Sequence, residues 1–256
     1  MIDPRAVISP QAQIAADVEI GPFSVIGADV VIGAGTWVGP HVVINGPTRI
    51  GVNNKIFQFA SLGDAPQDKK YQGEPTRLEI GDRNVFRESV TVNRGTILDQ
   101  GVTRIGSDNL FMAYSHVAHD CQVGDKVVLS NVATLGGHVE IGDWVIMGGL
   151  SAVHQFTKVG AHCFIANNAA VTRDVPPYVM AVGQPAEPHS VNSEGLKRRG
   201  FTPEQILNIR RAYRLLYRSG LKLKDAMEQL EQAALTQAEI KPFVEFIKRS
   251  SRSIVR

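Results

Sequence analysis

Cysteine is scarce in this chain. Only Cys121 and Cys163 occur among 256 residues, and they form no CxxC pair. That argues against a disulfide framework and reads as two reduced side chains in a cytosolic protein. A long apolar run is missing too, so no transmembrane helix is expected. No signal peptide is read, because Met1-Ile2-Asp3-Pro4 leads straight into patterned sequence. A strong overall charge is also missing, since the formal balance is +2. No nucleophile elbow of the hydrolase type appears anywhere.

What the chain does have is a period of six. Apolar residues recur at Ile8, Ile14, Ile20, Ile26, Ile32, Val38, Ile44, Ile50, Ile56 and Leu62, then at Ile80, Phe86 and Val92. After a one-residue slip the series runs from Ile105 through Val117, Leu135 and Val153 to Val171. Neither a helix nor a two-residue strand alternation has this period. A parallel β-helix does: each short strand turns one aliphatic inward, and the chain then takes a corner. Three hexads make one triangular coil of about 18 residues, and coils stack at the strand spacing of about 4.8 Å. β-Branched residues suit the flat inner wall. Glycine follows many of them, as in Ile20-Gly21 and Ile141-Gly142, and is read as a residue that eases corner backbone angles. The hexad type implies a left-handed β-helix.

Two interruptions stand out. Between Leu62 and Ile80 the two expected inward positions are Asp68 and Glu74. With Pro66, Gly73 and Pro75 around them, residues 63–78 read as an ejected loop. A second irregularity, at Leu98-Asp99-Gln100-Gly101, resets the register by one.

The hexads stop near Pro176-Pro177 and helix signals begin. Thr202-Pro203-Glu204-Gln205 spells an N-cap, a first-turn proline and a capping box. Ile206, Ile209, Ala212, Tyr213, Leu216 and Tyr217 follow at helical spacing, and Ser219-Gly220 ends that helix. Two more helices are expected, at 222–234 and 236–250. The organisation is thus mainly β: a β-helix over 1–185 and a C-terminal α-helical domain over 186–256. From Ser193 onward there are 14 Lys+Arg against 7 Asp+Glu, which leaves 13 against 18 for the rest. A basic tail of this kind is either a solvated helical face, the usual case, or a dock for an acidic partner. It carries no nucleic-acid-binding motif, so no nucleic-acid partner is expected.

Four of seven histidines cluster on the coil plan. Val117, Leu135 and Val153 are 18 apart and stack on one face. His116, His119, His138 and His154 therefore gather on one side of the prism, near corners. Histidine suits proton transfer near neutrality. Asp120 beside His119 suggests a carboxylate that orients a general base. Three converging histidines also allow a catalytic zinc reading, as in a γ-class carbonic anhydrase.

Several segments carry a specific resemblance. They are Phe57-Gln58-Phe59-Ala60-Ser61, Asp68-Lys69-Lys70-Tyr71, Gly73-Glu74-Pro75-Thr76-Arg77, Val117-Ala118-His119-Asp120-Cys121, Val153-His154-Gln155-Phe156, Asp174-Val175-Pro176-Pro177-Tyr178 and Glu194-Gly195-Leu196-Lys197-Arg198-Arg199-Gly200-Phe201. Over the whole chain the sequence resembles the UDP-N-acetylglucosamine O-acyltransferases that begin lipid A synthesis. The resemblance implies a cytoplasmic homotrimer with sites between subunits. It implies transfer of a 3-hydroxyacyl group from acyl carrier protein to the glucosamine 3-hydroxyl of UDP-GlcNAc. No cofactor or metal is implied beyond the donor's own phosphopantetheine arm. His119 would be the general base, Asp120 its orienting partner and Gly137 N–H the oxyanion donor. Asp68, Lys70, His116, His138 and His154 would line the sugar and acyl groove. Gln155, Asn192, Glu194, Arg198 and Arg199 would hold the nucleotide diphosphate.

Two positions depart from the family pattern. Asn93 stands where the family usually has histidine, which opens the alternative of a 3-amino sugar acceptor and an amide product. Asn167 stands at the position of the acyl-length ruler, often a glycine, and implies a shorter acyl chain.

Overall fold

A computed structural model describes residues 1–256. The expected left-handed parallel β-helix is the architecture found. Its strands are mostly two residues long and belong in rotation to three sheets of nine, eight and ten strands, parallel throughout except for the last strand of the third. We call these faces one, two and three in chain order. Face one runs from Val7–Ile8 to Ala170–Val171, and face two from Gln13–Ile14 to Lys158–Val159. Face three starts at Glu19–Ile20 and reaches Phe164–Ile165, where Val179–Val182 and the antiparallel Glu187–Val191 extend it.

The hexad aliphatics line the interior, with Ile44, Val92, Val117, Leu135 and Met147 fully buried. Each hexad buries a second residue, two places before the first: Val42, Val90, Ala133, Val145 and Ala169 are examples. A period of six shows only one inward residue, because the second alternates between apolar and small polar types. Both cysteines occupy this second position. Burial pushes each thiol up to about 12, so neither is an available thiolate near neutral pH. Phe86 and Phe111 stack at 4.7 Å inside the prism.

Glycine plays a different part from the one expected. The left-handed backbone falls three places after the inward residue, and there the chain uses Asp120 (φ 59°), His138 (φ 62°) and Phe156 (φ 63°). The glycine one place after the inward residue is needed for close stacking. At Gly33 a β-carbon would sit 2.6 Å from the carbonyl oxygen of Gly51 in the next coil.

Both interruptions leave the prism at the same edge, between faces one and two. Val117 to Val123 crosses this edge in one hexad, and both residues sit in paired strands. Leu62 to Ile80 crosses it with the loop 65–76 thrown out between strands Ser61–Asp64 and Arg77–Ile80. Val92 to Ile105 crosses it with residues 94–101 thrown out before strand Val102–Ile105. The one-residue slip is therefore a second ejected loop, and Leu98 is 63% exposed rather than inward.

Four helices follow: α1 (Ser193–Arg198), α2 (Pro203–Tyr217), α3 (Leu223–Ala234) and α4 (Lys241–Arg249). The capping box forms as read, with Gln205 N–H on Thr202 Oγ1 at 3.2 Å and Thr202 N–H on Gln205 Oε1 at 2.9 Å. The last expected helix is split: a 3₁₀ turn at Ala238–Ile240 precedes α4, with Pro242 in the first turn of α4. Helix α1 was not signalled, being six residues without a full apolar period. The helices seat on the last coil through Leu196, Ile209 and Phe243, whose ring lies 5.4 Å from Tyr178.

Candidate active site

Stacking brings His119, Gly137 and Gln155 to equivalent corner places on three successive coils at the edge of faces one and two. Asp120, His138 and Phe156 occupy the next place in each coil. The left-handed conformation of Asp120 turns its side chain back toward its neighbour, so the two adjacent residues meet: His119 Nδ1 lies 2.9 Å from Asp120 Oδ2. A flat strand would have pointed them apart.

Asp120 is almost fully enclosed, with 1% of its side chain exposed against 14% for His119. Its oxygens accept from Thr96 N–H at 2.9 and 3.0 Å and from Thr96 Oγ1 at 2.7 Å. Its own N–H donates to Thr103 Oγ1 at 2.8 Å. Burial pushes this carboxyl up, but the bonds from His119 and Thr96 and the nearby His138 outweigh it and hold the pKa below the usual carboxylate range. An ionised Asp120 accepts only, so Nδ1 of neutral His119 carries the proton and Nε2 presents its lone pair.

Gly137 lies against that imidazole. A β-carbon there would be 2.6 Å from Cε1 and 2.7 Å from Nε2 of His119. Its N–H makes no hydrogen bond within the chain. A proton acceptor and an unused backbone donor thus share one corner, the arrangement needed to deprotonate a nucleophile and receive an oxyanion.

His138 crosses edge-on to His119 at 5.0 Å, stacks on Phe156 at 4.3 Å and places Nδ1 3.2 Å from Asp99 Oδ2. His116 lies in the face-one strand with Nδ1 2.7 Å from Thr91 Oγ1. Its burial, then the nearby His119, lower its pKa. His154 and Gln155 are exposed just beyond. All four singled-out histidines therefore line one edge. Ligand atoms of His119, Asp120 and His138 fall within 4.8 Å of one another. Asp120 Oδ2 is, however, already engaged by Thr96 and His119 and Oδ1 by Thr96 N–H, as a hydrogen-bonded dyad requires.

The first ejected loop leaves at this edge and carries half-buried Asp68 and exposed Lys70. Asp68 Oδ1 accepts from Lys70 N–H at 2.9 Å, so it is partly spent on shaping its own loop. Arg94 fastens the loop base, donating to Tyr71 Oη at 2.9 Å and to the Gly63 carbonyl at 2.9 Å. Asn93 is 4% exposed; Nδ2 bonds the Ala65 carbonyl at 2.9 Å while its buried Oδ1 has no partner.

The other expected residues lie elsewhere on the same copy. Asn167 sits on the edge between faces three and one, exposed, with Oδ1 accepting from Gly149 N–H at 3.0 Å. Asn192, Glu194, Arg198 and Arg199 gather at α1 beside the edge of faces two and three. Glu194 and Arg198 are exposed. Asn192 is buried and caps α1, with Oδ1 receiving Gly195 N–H and Nδ2 donating to the His162 carbonyl at 2.9 Å. It therefore fixes α1 and offers a ligand little free amide. Arg199 lies over Trp144 at 5.2 Å with Nη1 3.2 Å from His162 Nδ1. Burial lowers the pKa of Arg199, and burial then Arg199 push His162 down to about 4.

Sequence reading missed Thr96, Asp99, Arg94 and His162. Only the longer loop step from Val92 to Ile105 signalled the first two, since a β-helix loop must emerge at a corner.

Comparisons with known proteins follow the same line. Residues 174–255 match the family model described as UDP N-acetylglucosamine O-acyltransferase, domain 2. Acyl-(acyl-carrier-protein)–UDP-N-acetylglucosamine O-acyltransferases of Thiobacillus denitrificans and a Janthinobacterium are 58% and 56% identical, over 100% of this chain and 99% of each relative. Among solved structures, the UDP-N-acetylglucosamine acyltransferase of Francisella novicida is 45% identical with a TM-score of 0.98, covering 100% of this chain and 94% of that one. The Bacteroides fragilis enzyme is 41% identical with a TM-score of 0.97, covering 100% of both. At this identity over full length, with the fold shared throughout, the chain belongs to the UDP-N-acetylglucosamine O-acyltransferase family.

Proposed function

We propose that the chain transfers a 3-hydroxyacyl group from acyl carrier protein to the glucosamine 3-hydroxyl of UDP-GlcNAc, the first step of lipid A biosynthesis. The observation that carries the chemistry is His119, held by Asp120 through Nδ1 and facing Gly137 through Nε2. His119 Nε2 takes the proton of the sugar hydroxyl as that oxygen attacks the thioester carbonyl. The carbonyl oxygen becomes an oxyanion received by Gly137 N–H. Collapse breaks the C–S bond, and the departing phosphopantetheine thiolate takes the proton back from the imidazolium. Asp120 stabilises the imidazolium between these events. A positioned base contributes about 10²–10⁴-fold and one preorganised donor about 10²–10³. No acyl-enzyme and no resident cofactor or metal enter this scheme.

His116, His138 and His154 line the groove, with Asp68 and Lys70 facing it from the ejected loop. Gln155, Glu194, Arg198 and Arg199 hold the nucleotide, with Asn192 fixing α1 beneath them. Because these groups fall on different edges of one copy, the chain works as a homotrimer in which α1 of one copy completes the catalytic edge of the next. Asn167 limits the acyl chain. Acyl carrier protein, an acidic partner, docks on the basic helical domain. The enzyme acts in the cytoplasm, where both substrates occur; no helix is long and apolar enough to cross a membrane.

Transfer from a panel of 3-hydroxyacyl carrier proteins to UDP-GlcNAc tests the reading, wild type beside His119→Ala. Transfer that disappears in the variant supports it. Asn167→Gly should lengthen the preferred acyl chain. Absence of transfer to UDP-GlcNAc, with transfer to the 3-amino analogue, would make an amide the product and Asn93 the residue to exchange.

A further inference from the structure

The chain ends by crossing back to the catalytic edge. Asp174, fully buried, clamps the last seven residues. Its Oδ2 accepts from Ser250 Oγ at 2.5 Å, its carbonyl accepts from Val255 N–H at 2.8 Å, and its N–H donates to the Ser253 carbonyl at 3.3 Å. Oδ1 accepts from Lys158 N–H at 2.8 Å, which ties the clamp to face two. Ile254 and Val255 are buried beside it.

Between the clamp points, Arg252 is left along the catalytic edge. Nη1 donates to the Gln155 carbonyl at 3.0 Å and lies 3.2 Å from His154 Nδ1. The guanidinium sits 5.8 Å from the centre of the Phe156 ring. Phe156 stacks on His138, and His138 meets His119 edge-on. Arg252 is thus two aromatic rings away from the base. It makes no ion pair within the chain, although its neighbours Arg249 and Lys248 both reach glutamates. A guanidinium carries five N–H donors in a rigid fork suited to oxyanions, and most of this fork is unused. Pinning the tail does not need it, because Asp174 and Ser250 already do so largely through the main chain.

We propose that Arg252 is a substrate-binding residue that grips a phosphate oxygen at the mouth of the catalytic edge. The proposal rests on the acyl-transfer reading, which brings two phosphates there: the phosphodiester joining the pantetheine arm to its carrier, and the diphosphate of the sugar nucleotide. Both present the same chemistry to a guanidinium.

Arg252→Ala and Arg252→Lys separate the sources. Loss of one charge-assisted contact should raise the KM of a phosphate-bearing substrate about tenfold or more, with kcat within about twofold and the melting temperature unchanged. Lysine should restore part, since it keeps the charge and loses the fork. If the donor phosphodiester is held, wild-type preference for acyl-phosphopantetheine over acyl-pantetheine collapses in Arg252→Ala. If the diphosphate is held, KM for UDP-GlcNAc rises and donor preference stays. Unchanged KM values, or a KM change that only accompanies a lower melting temperature, overturn the proposal. Calorimetric titration with 4′-phosphopantetheine and with pyrophosphate needs no turnover, so it tests the grip even if wild type transfers nothing. Equal binding of both probes to wild type and Arg252→Ala also overturns it.

Discussion

Replacing Gly137 by alanine should disable the base without unfolding the protein. The new β-carbon would lie 2.6 Å from His119 Cε1. Carbon contacts settle at about 3.5–4.0 Å, so the ring has to retreat by about 1 Å. A misplacement of about 1 Å costs about 100-fold in rate, or ~2.7 kcal/mol of barrier. Gly137 is not in the left-handed region, so its backbone accepts alanine. Gly149 holds the same place in its own hexad on another edge, and a β-carbon there would meet only the Asn131 carbonyl oxygen, at 3.5 Å. Gly149→Ala is therefore the folding control, and its melting point should stay within about 2 °C of wild type. The assay is kcat with both substrates saturating, for Gly137→Ala, His119→Ala and the double variant. Removing the imidazole empties the space, so Gly137→Ala should add little loss in the His119→Ala background. A Gly137→Ala enzyme within about threefold of wild type would refute the steric reasoning. An equally large loss in both backgrounds would show that the effect does not pass through the ring.

Three further outcomes follow from the geometry. Thr96→Val removes a 2.7 Å bond to Asp120, a contact with a charged group worth about 1.5–3 kcal/mol. It should lower kcat about tenfold and, by letting the Asp120 pKa rise, move the acid limb of the kcat profile to higher pH. Stability should fall on acidification from pH 6.5 toward 4, because the unfolded chain protonates His162 near 6.5 while the folded one holds it neutral down to about 4; thermal melts of His162→Gln should show a shallower decline over that window. Arg94→Lys cannot hold both Tyr71 Oη and the Gly63 carbonyl as the fork does, so the loop at 65–76 should loosen and KM for UDP-GlcNAc rise several-fold, with melting little changed.

Thr96 and Asp99 show where sequence reading ran out. A hexad places residues within a coil and, at 18-residue steps, across coils, so His116, His119, His138 and His154 could be set along one edge from spacing alone. Thr96 is 24 residues from Asp120 and reaches it from an ejected loop, whose path no period describes. The same holds for Arg252, 97 residues from Gln155.

The sequence by itself determined the β-helix, its three-sided cross-section, the edge that carries the histidines and the helical tail. Each depends on local spacing, and an apolar inward position recurring every six residues leaves little choice of fold. Only the tertiary structure decided what the corners do. It put the left-handed backbone at Asp120 and His138 rather than at glycine, and so turned Asp120 back onto His119. It sent both loops out beside that pair. It also placed Asn167 and the Asn192–Arg199 group on other edges of the copy, because Asn167 follows a face-three strand two hexads beyond Gln155 and the α1 residues belong to a helix outside the prism.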